Sequence, residues 1–301
     1  MDKGDTHSPS IKKYLDPVVI TRLSGLEIKA RVVVEGFLSG LHFSPHHGQS
    51  LEFSEHLPYS PGDSLHLVDW KVYGRTERLY LKKFHEETNM RVYFLLDVSN
   101  SMGYGKPVSK VEYSKVLIAS LSYLLLDQND AVGLIPFNVG LLSFLPPIAR
   151  RDYIHRLVSK LEAIKTGGKT DIMQVLDSFS RLIKKRSLII IVSDFLDEPA
   201  RFFKPIRGFV RSRNEIILLQ VLHPDEIELS IRNTVYLRDL ETGSRILVNP
   251  SAIRARYRTA FNRFLDELRL RAGETRALFY TVTTDTPYDQ VLMKLILRDK
   301  R

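Results

Sequence analysis

Cysteine is absent from the 301 residues of this chain. The absence excludes disulfide bonds and cysteine-based metal sites, so any metal must be held by oxygen or imidazole ligands. A chain without cysteine also fits a reducing compartment, although it does not require one.

Long apolar runs are missing as well. The most apolar stretch, Val116 to Leu126, contains two serines and is about half of the roughly 20 residues that a membrane-spanning helix needs. The first residues are polar, and no hydrophobic signal-peptide segment follows them. We therefore expect a cytoplasmic protein.

Acidic residues are in the minority, with 35 Asp and Glu against 44 Lys and Arg and a formal net charge of +9. Such a surface attracts nucleic acid, anionic lipid or acidic proteins. The basic groups at 150–151, 184–186 and 207–213 are scattered and are not interleaved with aromatic residues. Binding of nucleic acid or an anionic membrane through this charge is an alternative function, which a salt titration would detect.

The sequence pattern changes near residue 90. Residues 1–90 form an irregular N-terminal region, with a predicted helix near Pro17 to Ser39 and short strands at 51–54 and 79–81, which we expect to pack on the next domain. Residues 91–301 form that domain. In it, continuous apolar runs typical of strands buried on both faces alternate with amphipathic helices. The runs are Val92 to Leu96, Ala131 to Ile135, Leu188 to Val192, Ile216 to Leu222 and Ala277 to Val282.

This alternation predicts an α/β fold, Rossmann-like, with a mostly parallel sheet and helices on both faces. Helical periods cover 172–183, 257–268 and 288–295. The segment 141–145 follows the run at 131–137 after a short turn, which predicts a hairpin and therefore one antiparallel edge strand.

Three polar groups are expected beyond the carboxyl ends of the predicted strands, where ligands bind in open α/β sheets: two directly follow a strand and one is a loop that opens a helix. The first is Asp97-Val98-Ser99-Asn100-Ser101, the second is the loop Gly167 to Asp171, and the third is Ser193-Asp194. Alternate residues of an extended segment point the same way, so Asp97, Ser99 and Ser101 can converge. Their oxygens are hard ligands that suit Mg²⁺, Mn²⁺ or Ca²⁺.

These residues resemble the metal-ion-dependent adhesion site of von Willebrand factor type A domains. That site combines Asp-x-Ser-x-Ser, a later Thr after paired glycines, and an Asp that closes a hydrophobic strand. The resemblance implies a divalent metal, most simply Mg²⁺, held by serine and threonine directly or through water, with the aspartates ligating it or holding its waters. A carboxylate from a partner protein would complete the shell. The matching positions are Asp97, Ser99, Ser101, Thr170 and Asp194.

The region before this motif is similar to a bacterial family catalogued as domain of unknown function fifty-eight (DUF58). The resemblance covers about residues 44–298 and implies a MoxR-type AAA+ ATPase as partner, in a chaperone-like role. Long members of that family carry N-terminal transmembrane helices, which this sequence lacks. The segments that carry the resemblance are 52–55, 59–63, 68–71, 75–76 and 82–87.

Other interpretations of the motif remain open. Asp97 to Ser101 could be a polar turn with a serine capping the next helix. A metal-dependent phosphohydrolase of the haloacid dehalogenase type needs a second Asp where Ser99 stands. A nucleotide-binding loop ending at Thr170 lacks its first glycine, because position 163 is Ala. No Gly-x-Ser-x-Gly elbow of a serine hydrolase is present. We therefore expect neither catalytic nor cofactor-binding residues beyond the metal ligands.

Residues outside the motif carry blander expectations. His42, His46 and His47 are taken as exposed loop residues, with zinc binding as the alternative. Trp70 is expected in the core, and 59–63 as a turn at Pro61-Gly62. A partner-facing role for Asp63, Asp69 or Arg75 is the minority interpretation. The sequence as a whole predicts a metal-dependent protein–protein interaction module that is not an enzyme.

Overall fold

The computed structural model describes residues 15–42, 57–58, 80–81, 90–229, 233–238 and 245–296. The chain divides into two compact units, one formed by Met1–Leu38 with Met90–Arg301 and the other by Ser39–Asn89. In the second unit the described strands are β1 (Leu57–Pro58) and β2 (Tyr80–Leu81), which pair antiparallel. The predicted strand at 51–54 lies outside the described residues.

The first unit begins with two helices, α1 (Pro17–Thr21) and α2 (Leu26–His42). The predicted helix from 17 to 39 is therefore broken, and Gly25 in the break has a φ of 77°, which a helix cannot contain. The start of α2 lies against the α/β domain, because the Leu26 amide donates to Glu162 at 2.7 Å. This hydrogen bond agrees with the division of the chain, in which residues up to Leu38 belong to the same compact unit as the sheet.

A six-stranded sheet forms the centre of the first unit. Its strands are β3 (Arg91–Asp97), β4 (Ala131–Phe137), β5 (Leu145–Ile148), β6 (Leu188–Ser193), β7 (Glu215–Leu222) and β10 (Leu278–Thr283). Between β7 and β10 the chain also forms a separate antiparallel pair, β8 (Val235–Arg238) and β9 (Arg245–Val248). The strand order in the large sheet is β10-β7-β6-β3-β4-β5. All neighbours are parallel except β4 and β5, so the prediction of a mostly parallel sheet with one antiparallel edge strand is confirmed.

Helices surround this sheet. They are α3 (Lys110–Asp127), α4 (Tyr153–Glu162), α5 (Ile172–Ser180), α6 (Pro199–Arg211), α7 (Pro224–Glu228), α8 (Pro250–Thr275) and α9 (Tyr288–Ile296). Tyr93 and Leu95 of β3 join a core cluster with residues of α5, α6 and α8. Their neighbours Phe94 and Leu96 are equally buried and point to the opposite face, since side chains alternate along a strand. Burial on both faces explains why the strands read as continuous apolar runs.

The edge strand lies later in the chain than predicted. The sequence favoured 141–145, whereas β5 covers Leu145–Ile148 and only a single bridge joins Leu141 to Phe137. Pro146 and Pro147 lie inside β5, and proline within a run argues against a strand. An edge strand tolerates proline because one row of its backbone groups has no neighbour to bond.

Candidate metal centre

The strand order reverses at β3, and this reversal places the candidate site. From β3 the chain moves to β4 and β5 on one side, then returns to build β6, β7 and β10 on the other. A crevice forms beyond the carboxyl ends of the strands at such a switch point. Asp97 is the last residue of β3 and Ser193 the last of β6, and these strands are direct neighbours.

Asp97 is the centre of the site. Its side chain is completely buried, and both carboxylate oxygens accept hydrogen bonds. Oδ1 accepts from the Ser99 amide at 2.9 Å. Oδ2 accepts from the Ser193 hydroxyl at 2.7 Å and from the Thr170 hydroxyl at 3.1 Å. The carboxylate therefore holds hydroxyl-bearing residues from two loops and the end of β6 around one point.

The two serines of the motif lie beside this carboxylate. Ser99 precedes a short 3-10 helix, Asn100–Gly103, and its Oγ lies 3.1 Å from the Oγ of Ser101. Backbone bonds tie the threonine loop to the same segment, since Gly167 donates to Val98 at 2.8 Å and Asn100 donates to Gly168 at 3.0 Å. Main-chain hydrogen bonds therefore hold the threonine loop against the segment that carries Ser99 and Ser101.

Gly168 is required where it stands in the threonine loop. Its φ is 79°, in the region that disfavours residues with a Cβ. A Cβ there would also lie 3.2 Å from the Asn138 side-chain nitrogen, which donates to the Gly167 carbonyl at 3.1 Å. Asn138, which follows β4, therefore fastens the loop that carries Thr170.

Asp194 follows Ser193 and is buried, and its charge acts on Asp97. Burial, with the negative charge of Asp194, raises the pKa of Asp97 to about 6, against the lowering effect of the Ser193 and Ser99 hydrogen bonds. The Asp194 side chain also accepts from the Lys110 ammonium at 2.8 Å. We call Asp97, Ser99, Ser101, Thr170 and Asp194 the five-residue cluster.

The donor set of this cluster fits a small divalent ion. Two carboxylates and three hydroxyls are all-oxygen, hard ligands, and they lie at one edge of the sheet. Burial and the negative charge of Asp194 both raise the pKa of Asp97, so a cation nearby would favour its ionised form. The chemistry of the residues is thus compatible with Mg²⁺ or Mn²⁺, which would supply that positive charge.

Exposed apolar side chains follow the strands on either side of Asp97. Val139 and Leu142, after β4, are 50% and 54% exposed, and Leu196, after β6, is 48% exposed. Leu196 is tied to the cluster, because its amide donates to Asp194 at 3.4 Å. Single exposed apolar residues are ordinary. Three of them that follow the two strands flanking β3 are typical of a protein-binding surface.

Half of the eight basic residues in the groups that motivated the nucleic-acid alternative are paired with carboxylates. Arg151 lies 2.7 Å from Asp127, and Arg207 lies 3.4 Å from Glu274. Arg150 and Arg186 likewise pair with neighbouring acidic residues. These exposed pairs add little stability, but they distribute the positive charge among negative charges.

The sequence did not single out Lys110, Glu226 or Asn138. Lys110 opens α3 and follows no predicted strand, and nothing in its local sequence sets it apart from Lys115. The structure does not describe the side chains of the remaining residues for which the sequence led to a prediction. These residues are His42, His46, His47, 59–63, Asp63, Asp69, Trp70 and Arg75.

Comparison with known proteins identifies relatives without a known function. A family model described as "Protein of unknown function DUF58" matches residues 55–265. The uncharacterised protein Rv1480 of Mycobacterium tuberculosis is 26% identical over 243 residues, which cover 79% of this chain and 76% of the relative.

Solved structures resemble the α/β part of the chain. An aerotolerance-related membrane protein from Bacteroides fragilis is 20% identical with a TM-score of 0.45, covering 68% of this chain and 97% of that one. The VWA domain of SpRpn10 is 10% identical with a TM-score of 0.42, covering 68% of this chain and 94% of that one. The neighbours thus include domains of the von Willebrand type.

The prediction of a cytoplasmic location is wrong. One of these similar structures is described as that of a membrane protein. The prediction rested on the lack of an apolar run long enough to span a bilayer, and that lack in one chain does not determine a compartment. Among the described residues no helix is both long and apolar enough to cross a membrane.

Proposed function

The chain belongs to the DUF58 family of proteins of unknown function, and we propose from its site that it is a protein-interaction module that binds its partner through a divalent ion. The observation that carries the proposal is the arrangement around Asp97. The buried Asp97 carboxylate accepts from the Thr170 and Ser193 hydroxyls and from the Ser99 amide, and the charge of Asp194 acts on it. An ion at this site would be bound by serine and threonine hydroxyls together with the carboxylates or their waters, and could accept one more ligand.

The ligands of this ion would come from the five-residue cluster. Ser99, Ser101 and Thr170 would bind through their hydroxyl oxygens, and Asp97 and Asp194 would bind the ion or its waters. The open position would take an Asp or Glu side chain of the partner, a strong charge-assisted contact. Val139, Leu142 and Leu196 offer apolar surface around that contact.

The partner that we propose is a MoxR-type AAA+ ATPase, with a chaperone-like role for the pair. This choice rests on the family resemblance, and the acidic ligand is the chemical feature that the partner must supply. The chain's own part is binding and orientation, and we propose no catalytic step for it. The Ser193 hydroxyl is buried and donates to Asp97, so it is engaged as a structural donor.

A matched pair of threonine variants tests the proposal. Thr170→Ala removes a hydroxyl from the cluster, whereas Thr259→Ala removes an exposed hydroxyl that bonds only within α8. We expect Thr170→Ala to weaken Mn²⁺ binding at least about ten-fold, because the ion loses one ligand. A ten-fold change corresponds to roughly 1.4 kcal/mol of binding free energy. Thr259→Ala should bind Mn²⁺ like the wild type.

Partner capture is measured with the same proteins. The wild type should retain a purified MoxR-type ATPase in Mg²⁺ and release it in chelator, and Thr170→Ala should release it in both. Capture that persists unchanged in chelator would show that the ion is not the contact. Steep loss of binding with added salt, whatever the metal, would favour the basic surface instead.

A further inference from the structure

Lys110 is a buried cation next to the five-residue cluster. It is the first residue of α3, and its side chain has no exposure to solvent. Its Nζ lies 2.8 Å from Asp194 Oδ2 and 2.6 Å from Glu226 Oε1. A buried ammonium is costly unless it is paired, and here it is paired by Asp194, which follows β6, and by Glu226 of α7.

The partners of Lys110 are themselves fixed. The Lys110 amide donates to the Tyr104 carbonyl at 3.1 Å, which holds the start of α3. The second oxygen of Glu226 accepts from the His223 amide at 2.7 Å and so caps α7. The Asp194 carbonyl accepts from Gln220 of β7 at 2.9 Å. The ammonium is therefore held in place by three elements of the fold and is not a mobile surface charge.

The lysine ammonium lies between two carboxylates and contacts one oxygen of each. One oxygen of Asp194 is thus occupied by a positive charge that belongs to the chain. A divalent ion drawn to the same carboxylate meets that charge at short range, where repulsion is weakly screened.

We infer that Lys110 is a built-in counter-ion of Asp194, which competes with the divalent ion for this carboxylate and lowers the metal affinity of the site. The inference rests on the proposed function, because it requires an ion at the five-residue cluster. Lys110 acts on the ion through Asp194 and is therefore a positioning residue. Glu226 moderates the competition by sharing the ammonium.

Cooperative binding of ion and partner follows from this arrangement. A site weakened by Lys110 holds the ion poorly alone, and an acidic partner side chain adds the negative charge that the lysine offsets. Each ligand then raises the affinity for the other by the same factor, as linkage requires. The chain would release its ion when it releases its partner.

The test compares two lysines of one helix. Lys110→Met removes the charge beside Asp194 and keeps an unbranched side chain. Lys115→Met is the control, since Lys115 is also buried in α3 but pairs with Glu112 and the Ile164 carbonyl, both at 2.9 Å. Mn²⁺ is titrated into each purified protein by calorimetry, after circular dichroism has shown that the variant is folded.

We expect Lys110→Met to bind Mn²⁺ at least about ten-fold more tightly than the wild type, because a unit charge within several ångströms of a divalent ion repels it by more than that factor. Lys115→Met should bind like the wild type. Binding of Mn²⁺ by Lys110→Met but not by the wild type would also support the inference.

Two results would overturn the inference, and they bear differently on the proposed function. Equal or weaker binding by folded Lys110→Met, with clear binding by the wild type, removes the role of Lys110 and leaves the metal site standing. No binding by either protein removes both. If Lys110→Met does not fold, Glu226→Gln is measured in its place. In that variant the ammonium pairs with Asp194 alone, so Mn²⁺ binding should weaken several-fold. Unchanged or tighter Mn²⁺ binding would refute the competition.

Discussion

Asp97 should destabilise the metal-free protein at neutral and alkaline pH. Its pKa rises from 3.8 to about 6 on folding, because burial and the charge of Asp194 oppose ionisation. The difference corresponds to about 3 kcal/mol of unfolding free energy. A raised pKa means that Asp97 stabilises the fold fully below about pH 3.8, and that this stabilisation is lost as the pH rises through about 6.

Asp97→Asn isolates that effect. The amide oxygen can still accept from the Ser99 amide, and the hydroxyls of Thr170 and Ser193 can reverse to accept from the amide nitrogen. In chelator near pH 8 the variant should therefore be more stable than the wild type by about 2–3 kcal/mol, somewhat less than the full electrostatic cost. Near pH 4 the difference should vanish, because Asp97 is then protonated in the folded wild type as well.

Urea unfolding across this pH range measures the difference directly. Added Mg²⁺ should reverse the order, since an ion stabilises only the folded state that binds it, and the variant has lost a ligand. The reasoning is refuted if Asp97→Asn is no more stable than the wild type near pH 8 in chelator. It is also refuted if a gain of the same size persists near pH 4.

Two further pairs of variants probe the surroundings of the site. Gly105→Ala should destabilise the fold by about 2 kcal/mol or more in urea unfolding, because the φ of Gly105 is 113° and a Cβ there would lie 2.6 Å from the His223 ring. Gly208→Ala is the matched control. Gly208 lies in α6 with open space around it, so alanine there should stabilise the fold by about 0.5–1 kcal/mol. Tyr113→Phe should cost about 1 kcal/mol through a lost hydrogen bond to a backbone carbonyl. Tyr288→Phe should cost nothing, because its buried hydroxyl has no partner in the part of the chain that the structure describes; a loss as large as that of Tyr113→Phe would contradict this.

The parallel strands could be predicted because burial on both faces leaves a continuous apolar run. Val92 to Leu96 was predicted, and β3 extends it by one residue at each end. The edge strand was misplaced because a strand with a neighbour on one side only accepts Pro146 and Pro147, which central strands exclude. The break at Gly25 in the first predicted helix was missed because many helices tolerate a single glycine, so the residue alone does not predict a helix end.

Most of the cluster was accessible from the sequence because Asp97, Ser99, Ser101 and Asp194 follow strands, whereas Thr170 lies in a loop that opens a helix. Parallel strands end at one edge, so Asp97 and Asp194 had to approach each other wherever β3 and β6 are neighbours. Lys110 and Glu226 obey no such rule. Lys110 reaches Asp194 across 84 positions of sequence and Glu226 across 116, through the packing of α3 and α7 on the sheet edge. Side-chain pairing of this kind depends on tertiary packing.

The charges at the site connect its two proposed properties. Asp97 and Asp194 are the carboxylates of the five-residue cluster, and Lys110 offsets part of the charge of Asp194. Part of the negative charge of Asp194 would therefore be unavailable to a bound ion, and positive charge left unpaired in a buried site is costly. An acidic side chain of a partner neutralises that unpaired charge, whereas a neutral or basic one does not. A third carboxylate in place of Lys110 would bind the ion more tightly and leave the partner less charge to neutralise, so weak ion binding and preference for an acidic partner have one electrostatic origin.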